Sequence, residues 1–207
     1  MWLAIVIGVL TSYMLGNLNG AVIVSALMHD DVRNHGSGNA GLTNFIRNYG
    51  TAKALLVVGI DAGKAVLACL VTGLLLKSYD MYLEGVMLGG TAVMLGHTFP
   101  ALLGFRGGKG ILSGLFVACV ADWRVAVAIV VIFFVFYLIT RYVSLGSVLA
   151  SVGFAVGFCI LHHEEPLVMI CGILAPALTI FMHRSNIIRL CTGKETKTNL
   201  FKKGKSV

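Results

Sequence analysis

The chain has 207 residues, of which 57% are hydrophobic and only 12% charged, and its mean hydropathy is +0.90. Soluble domains carry roughly twice that share of charge, so a soluble fold is excluded for lack of polar surface. The net charge of +7 does not point to nucleic acid either: the basic residues flank apolar runs, where anionic lipid and phosphate are the fitting partners.

Polar punctuation divides the chain into seven apolar segments. The first, residues 2–28, has neither a positive n-region nor a small-residue cleavage site, and is expected to stay as a helix. The second runs over 51–76 and the third over 81–103. The fourth, 111–121, has eleven residues. A span takes about 20 residues, so it is expected to be a short or half helix. Asp122-Trp123-Arg124 then forms a polar turn, and segments follow at 125–139, 144–161 and 167–182. The fold class is therefore all-α: one polytopic membrane domain over 1–207 with about seven transmembrane helices. Its tail, 192–207, is basic and polar and is expected to lie frayed on anionic lipid. The five cysteines, mostly inside apolar runs, show neither disulfide nor metal spacing.

Lys and Arg placement orients the set. With the N-terminus outside, the cytoplasmic face carries Arg33, Arg47, Lys53, Arg106, Lys109, Arg141, Arg184, Arg189, Lys194, Lys197, Lys202, Lys203 and Lys205, which is 13 of the 16 basic residues. The opposite turns are acidic, with Asp80, Glu84, Asp122, Glu164 and Glu165. The C-terminus is then cytoplasmic, and His162 and His163 read as part of a solvated outer turn rather than a metal site.

Four polar stretches reach that cytoplasmic face. The first runs from His35 through Gly36, Ser37, Gly38, Asn39, Gly41, Thr43 and Asn44 to Arg47. Its glycines allow backbone amides to converge on an anion, and the Ser, Thr and Asn side chains add donors; a flexible connector is the plain alternative. The second joins Gly96-His97-Thr98-Phe99-Pro100 to Phe105-Arg106-Gly107-Gly108-Lys109-Gly110. Glycines and a lysine before a helix start suit phosphate, but the nucleotide-binding GxxxxGK[ST] spacing is absent. The third, Thr140-Arg141-Tyr142-Val143-Ser144, is equally readable as a membrane anchor, with Ser144 and Ser147 capping the next helix. The fourth is His183-Arg184-Ser185-Asn186 with Arg189 behind it. Asp61 and Lys64, three apart in the second segment, either neutralise each other or send Lys64 into the site.

These groups are rich in anion donors and poor in acids. Asp30, Asp31 and Glu195 are the only cytoplasmic carboxylates, and none lies in a motif, so the sequence calls for no metal, no cofactor and no obligate protein partner. GxSxG and HxxxxD are both missing. Such a site suits two phosphates and a good leaving group, stabilised by preorganised donors.

In order along the chain, the stretches at 36–47, 96–110, 140–145 and 183–186 resemble the bacterial membrane acyl-phosphate:glycerol-3-phosphate acyltransferases, the PlsY family. The resemblance implies transfer of a fatty acyl group from acyl-phosphate to the 1-position of glycerol-3-phosphate in the inner membrane, as the first acylation of phospholipid biosynthesis. It implies a catalytic set of Ser37, His97, Lys109, His183 and Asn186. Around it would stand a binding set of Gly38, Asn39, Thr43, Asn44, Arg47, Lys64, Arg106, Gly107, Gly108, Gly110, Ser144 and Arg184. With no base among the motif acids, the substrate phosphate would take the hydroxyl proton, His97 or His183 being the competing bases. Three positions depart from the family pattern: Ser185 replaces Glu, Ala65 replaces Gly, and Leu42 replaces Ala. The rival class is a transporter of a phosphorylated metabolite, which would place its site at the midplane between repeats; no repeat is visible here.

Overall fold

The first apolar stretch does not run as one rod. It is two helices, α1 (Trp2–Gly16) and α2 (Gly20–Ala26), bent by 43° at the polar residues between them. Over the described residues, 1–198, the computed structural model continues with α3 (Leu42–Tyr49), α4 (Thr51–Lys77), α5 (Tyr82–Thr98), α6 (Ile111–Ala121), α7 (Trp123–Thr140), α8 (Val143–Leu161), α9 (Pro166–Met182) and α10 (Arg184–Cys191). Two short 3-10 turns, Val32–Asn34 and Ala101–Leu103, precede the glycine-rich loops, and no strand occurs among the described residues. Four helices are long and apolar enough to cross a bilayer, and up to six spans result if α1–α2 and α9–α10, the latter bent by 59°, each count as one. The eleven-residue α6 stays short, as its sequence requires.

The break after α1 explains the charges in α4. A helix end inside a membrane leaves carbonyls and amides with no water to satisfy them. Lys64 donates to the Leu18 carbonyl at 2.7 Å and the Gly16 carbonyl at 3.3 Å, at the C-terminal end of α1. Asp61 accepts from the Gly20 amide at 3.1 Å, at the start of α2. Cation at the C-terminus and anion at the N-terminus also match the two helix dipoles. Asn19 caps α2 through Val22 and sends its amide to the Ala40 carbonyl at 3.0 Å, tying the break to the first glycine loop. Asn17 accepts from the Leu102 amide at 3.0 Å and so holds the second loop.

Close helix approach supplies the rest. A Cβ on Gly96 of α5 would stand 2.1 Å from the Tyr13 carbonyl of α1, so glycine alone permits that crossing. Val86, Val93, Met94, Val117, Val125, Phe154 and Phe158 fill the main core between α5, α6, α7 and α8. Val24, Val32, Phe45 and Val57 form a second, smaller one under the first glycine loop. Leu3, Leu55, Ile139 and Ile160 point outward, as lipid-facing residues do.

Three expectations change. Ser144 and Ser147 do not cap α8: the helix starts one residue earlier, after Tyr142, with no side-chain cap. His162 is not solvated, because it bridges Glu165 at 2.8 Å and Asp122 at 3.1 Å and stacks on Phe158; His163 is the exposed one. Residues 192–198 of the tail fold back over the site instead of fraying outward. Residues 199–207, with Lys202, Lys203 and Lys205, lie outside the described residues.

Candidate active site

One cavity of about 1440 Å³ opens between the ends of α3, α6, α8, α9 and α10. Ser37, Thr43, Arg47, Lys109, His183 and Asn186 line its polar end, and Leu112, Leu115, Ile129, Phe133, Phe154 and Pro176 its apolar end. The four polar stretches thus share one space, although up to about 150 residues of chain separate them.

The first stretch is a loop folded around Asn44. Its amide donates to the carbonyls of Val32 at 3.1 Å and His35 at 3.0 Å, while Oδ1 accepts from the Ser37 amide at 3.0 Å and from Asn48. Asn44 therefore shapes the loop rather than offering a free donor. Gly36, at φ +57°, could not carry a Cβ, which would meet Asn44 Oδ1 at 2.5 Å. The result presents Ser37 and Gly38 as exposed groups, with Thr43 one turn above Arg47 on α3. Arg47 donates to the Thr198 hydroxyl.

The second stretch lies flat on His97. A Cβ on Gly108 would stand 2.2 Å from His97 Nε2, and one on Gly107 2.0 Å from the His97 carbonyl. The Gly108 amide donates to that carbonyl at 3.1 Å. These two glycines are therefore packing surfaces, and the Gly108 amide is not free for phosphate. Gly110, left-handed at φ +82°, turns the chain into α6, and Gly110, Ile111 and Leu112 at that helix start line the cavity. Arg106 stays exposed beside it.

His97 takes a hydrogen bond from Lys64 on Nδ1 at 2.8 Å. An ammonium can only donate, so Nδ1 is the acceptor and the neutral ring carries its proton on Nε2. His183 has the opposite tautomer: Nδ1 donates to the Thr179 carbonyl at 2.8 Å, leaving Nε2 as the acceptor end. Of the two histidines lining the cavity, His183 alone has a lone pair available to a substrate hydroxyl.

Lys109 donates to Asn186 Oδ1. Its pKa falls to about 8, chiefly through burial; Glu195 opposes the fall, and Arg189 and Arg47 add to it. Glu195 accepts from Ser144 and Asn186 at 2.7 Å each and from Arg189 at 2.7 Å. Burial works against its charge, yet the bonds from Asn186, Ser144 and Arg189 hold its pKa below the ordinary Glu range.

Several expected site residues are engaged otherwise than the sequence suggests. Lys64 has Asp61, Leu18, Gly16 and His97 around its ammonium and does not line the cavity. Three protons with four acceptors leave nothing for a substrate, so its role is the helix break. Arg184 reaches the cavity rim but is exposed, and rests its guanidinium on the Phe181 ring at 4.7 Å. Ser144 faces Glu195 rather than open space, and Asn39 is half-buried, its amide beside Gly41. Ser185 is exposed at the cavity rim. The sequence reading missed Arg189 and Glu195 as site residues. Arg189 could have been found from its spacing, three after Asn186 on one helical face. Glu195 carries no local signal.

A family model described as glycerol-3-phosphate acyltransferase matches residues 6–193. A glycerol-3-phosphate acyltransferase of Thermoanaerobacter pseudethanolicus is 38% identical over 193 residues, covering 93% of this chain and 94% of the relative. One of Aquifex aeolicus is 34% identical over 187 residues, covering 90% and 95%. A crystal structure of PlsY, an integral membrane glycerol 3-phosphate acyltransferase, in its glycerol 3-phosphate form superposes with a TM-score of 0.86 at 32% identity, covering 96% of this chain and 99% of that one. The lysophosphatidic acid form superposes at 0.83. With the match running from the first helix to the turn beyond α10, this chain belongs to the PlsY family of integral membrane glycerol-3-phosphate acyltransferases.

Proposed function

We propose that the protein transfers a fatty acyl group from an acyl-phosphate to the 1-hydroxyl of glycerol 3-phosphate at the cytoplasmic face of a bacterial inner membrane, giving lysophosphatidate and inorganic phosphate. The observation that carries this reading is one cavity with two chemistries: a basic, donor-rich end around Arg47, Lys109 and Asn186 continuous with an apolar end between α6, α7 and α8. An acyl-phosphate needs both, with its phosphate among the cations and its chain among Leu112, Ile129 and Phe133. The forms in which the two PlsY crystal structures are described, glycerol 3-phosphate and lysophosphatidic acid, are the acceptor and product of this reaction. The excess of Lys and Arg on this side supports the cytoplasmic orientation.

In the proposed step the 1-hydroxyl oxygen attacks the acyl carbonyl carbon, and the bond from that carbon to the phosphate oxygen breaks. Phosphate leaves with the electron pair, and Lys109 with the first-turn amides of α6 stabilises the charge that develops. The hydroxyl proton passes to the departing phosphate. Before the attack His183 Nε2 accepts the hydroxyl hydrogen bond and so orients the oxygen, the proton turning to the phosphate as its bond to carbon breaks; with Nδ1 occupied by Lys64, His97 is not the base. Residues 1–207 act as one transmembrane unit, with Ser37, Thr43 and Arg47 receiving the second phosphate.

Purified protein given palmitoyl-phosphate and glycerol 3-phosphate is expected to release inorganic phosphate and form lysophosphatidate. Folded protein that releases none, but carries glycerol 3-phosphate into sealed vesicles, would establish the transporter instead.

A further inference from the structure

Residues 193–198 read Gly-Lys-Glu-Thr-Lys-Thr, with no apolar periodicity, yet they form a strap. Gly193, at φ +67°, turns the chain back after α10, and the Lys194 amide donates to the Arg189 carbonyl at 2.8 Å. At the far end the Thr198 amide donates to the Arg141 carbonyl at 2.9 Å, and Tyr137 donates to the Thr198 carbonyl at 3.1 Å. Between these anchors, the Glu195 side chain is carried into the site, where it is only 9% exposed.

A buried carboxylate is an odd neighbour for a phosphate site, since it competes for the same cations. Its geometry resolves the oddity. Oε1 accepts from Ser144 and from Asn186 Nδ2, and Oε2 accepts from Arg189. The other end of the Asn186 amide, Oδ1, accepts from Lys109. A side-chain amide has one donor end and one acceptor end. With a carboxylate on one side and an ammonium on the other, only one orientation satisfies both.

We propose that Glu195 is a positioning residue: it fixes the Asn186 amide with Oδ1 on Lys109, and so sets the place of the ammonium that receives substrate phosphate. This rests on the function proposed above. The charged groups acting on Lys109 among the described residues are Glu195 from the strap, Arg189 from α10 and Arg47 from α3; His183, at the bend between α9 and α10, also faces it. Glu195 is the anion in that set, so it opposes the loss of the Lys109 proton.

The test uses the full chain in detergent with Glu195→Gln and Glu195→Ala. Binding of glycerol 3-phosphate and of inorganic phosphate is titrated calorimetrically from about pH 6.5 to about pH 9, across the range where Lys109 changes charge. Glu195→Ala is expected to weaken both by roughly tenfold and to move the high-pH loss of binding down by about one pH unit. Glu195→Gln, which keeps an acceptor for Asn186 but no charge, is expected to recover part of the affinity and none of the shift. Unchanged affinity and unchanged pH profile would overturn the proposal. So would weaker binding with the profile unmoved, which marks a merely structural residue, or tighter binding, which marks a competitor. Should Glu195→Ala not fold, the Glu195→Gln profile decides alone. Turnover of palmitoyl-phosphate by the wild type is measured alongside. Its absence with phosphate binding intact would sink the reaction and leave Glu195 to be judged by binding; a wild type that binds neither anion overturns both.

Discussion

The Asp61 carboxylate and the Lys64 ammonium lie 2.7 Å apart, both almost wholly buried, and each closes one side of the break between α1 and α2. Removing one partner leaves the other charged and unpaired, which costs about 3–5 kcal/mol in a buried pair. Lys64→Met is therefore expected to lower thermal stability in detergent sharply, whereas the fraction that stays folded retains most of its turnover. Wild-type stability in Lys64→Met with turnover abolished would show that Lys64 belongs to the chemistry.

The histidines separate by isosteric replacement. Asn in place of His97 keeps an acceptor where Nδ1 receives Lys64, so His97→Asn should fold and retain the wild-type pH dependence of kcat. Asn in place of His183 keeps the donor to Thr179 and deletes Nε2. That variant is expected to lose roughly 10²-fold in kcat, and Gln, which restores an acceptor near Nε2, should recover part of it. Full activity in His183→Asn would remove that residue from the reaction.

Lys109 sets a pH limb with a definite sign. Its pKa is lowered to about 8, so it is charged below that pH and loses its charge as pH rises through it. The second ionisation of a phosphate monoester has its pKa at about 6, so the substrate charge is nearly constant across the range where Lys109 titrates. KM for glycerol 3-phosphate should accordingly rise above about pH 8, and in Lys109→Arg, where guanidinium stays charged, the limb should vanish from the accessible range. Lys109→Met should cost roughly 10²–10³-fold in kcat.

Gly108 and Gly104 make a matched pair. An added methyl at Gly108 meets His97 Nε2 at 2.2 Å and the Ala40 carbonyl at 2.8 Å, backbone and ring that cannot both retreat. At Gly104 the φ is +64° but nothing lies within 4 Å. Gly104→Ala should cost only about 1–2 kcal/mol, the ordinary left-handed strain, with kcat intact, whereas Gly108→Ala should lose most turnover. Measuring Tm and kcat in both variants checks the contrast; equal losses would contradict the packing role of Gly108.

Arg184 and Arg47 both line the cavity and are both exposed, but differ in what they touch: Arg184 the Phe181 ring, Arg47 the Thr198 hydroxyl. Arg184→Ala removes a guanidinium held on Phe181 at the exposed rim of the cavity, and is expected to change KM for glycerol 3-phosphate by less than about threefold, within the usual range of surface changes. Arg47→Ala should raise it by roughly tenfold or more, as loss of a charge-assisted bond does. A steady-state comparison of the two variants is sufficient.

The sequence by itself determined what depends on local hydropathy and spacing. It set the apolar segments, the short fourth helix and the gathering of basic, glycine-rich stretches on one face, because bilayer insertion reads the chain segment by segment. The polar residues between α1 and α2 were legible as letters but not as a bend, since only the charges of α4, more than forty residues on, make the break tolerable. Tertiary structure decided how each polar group is used. Lys64 and Asn44 look like substrate donors until their acceptors are seen, and Gly108 looks like a bare amide until His97 is found beneath it. Glu195 is the clearest case: a carboxylate in an unpatterned tail meets Ser144 across 51 residues of sequence. A hydrogen-bonding group binds substrate only with what its neighbours leave open, and those neighbours come from distant parts of the chain.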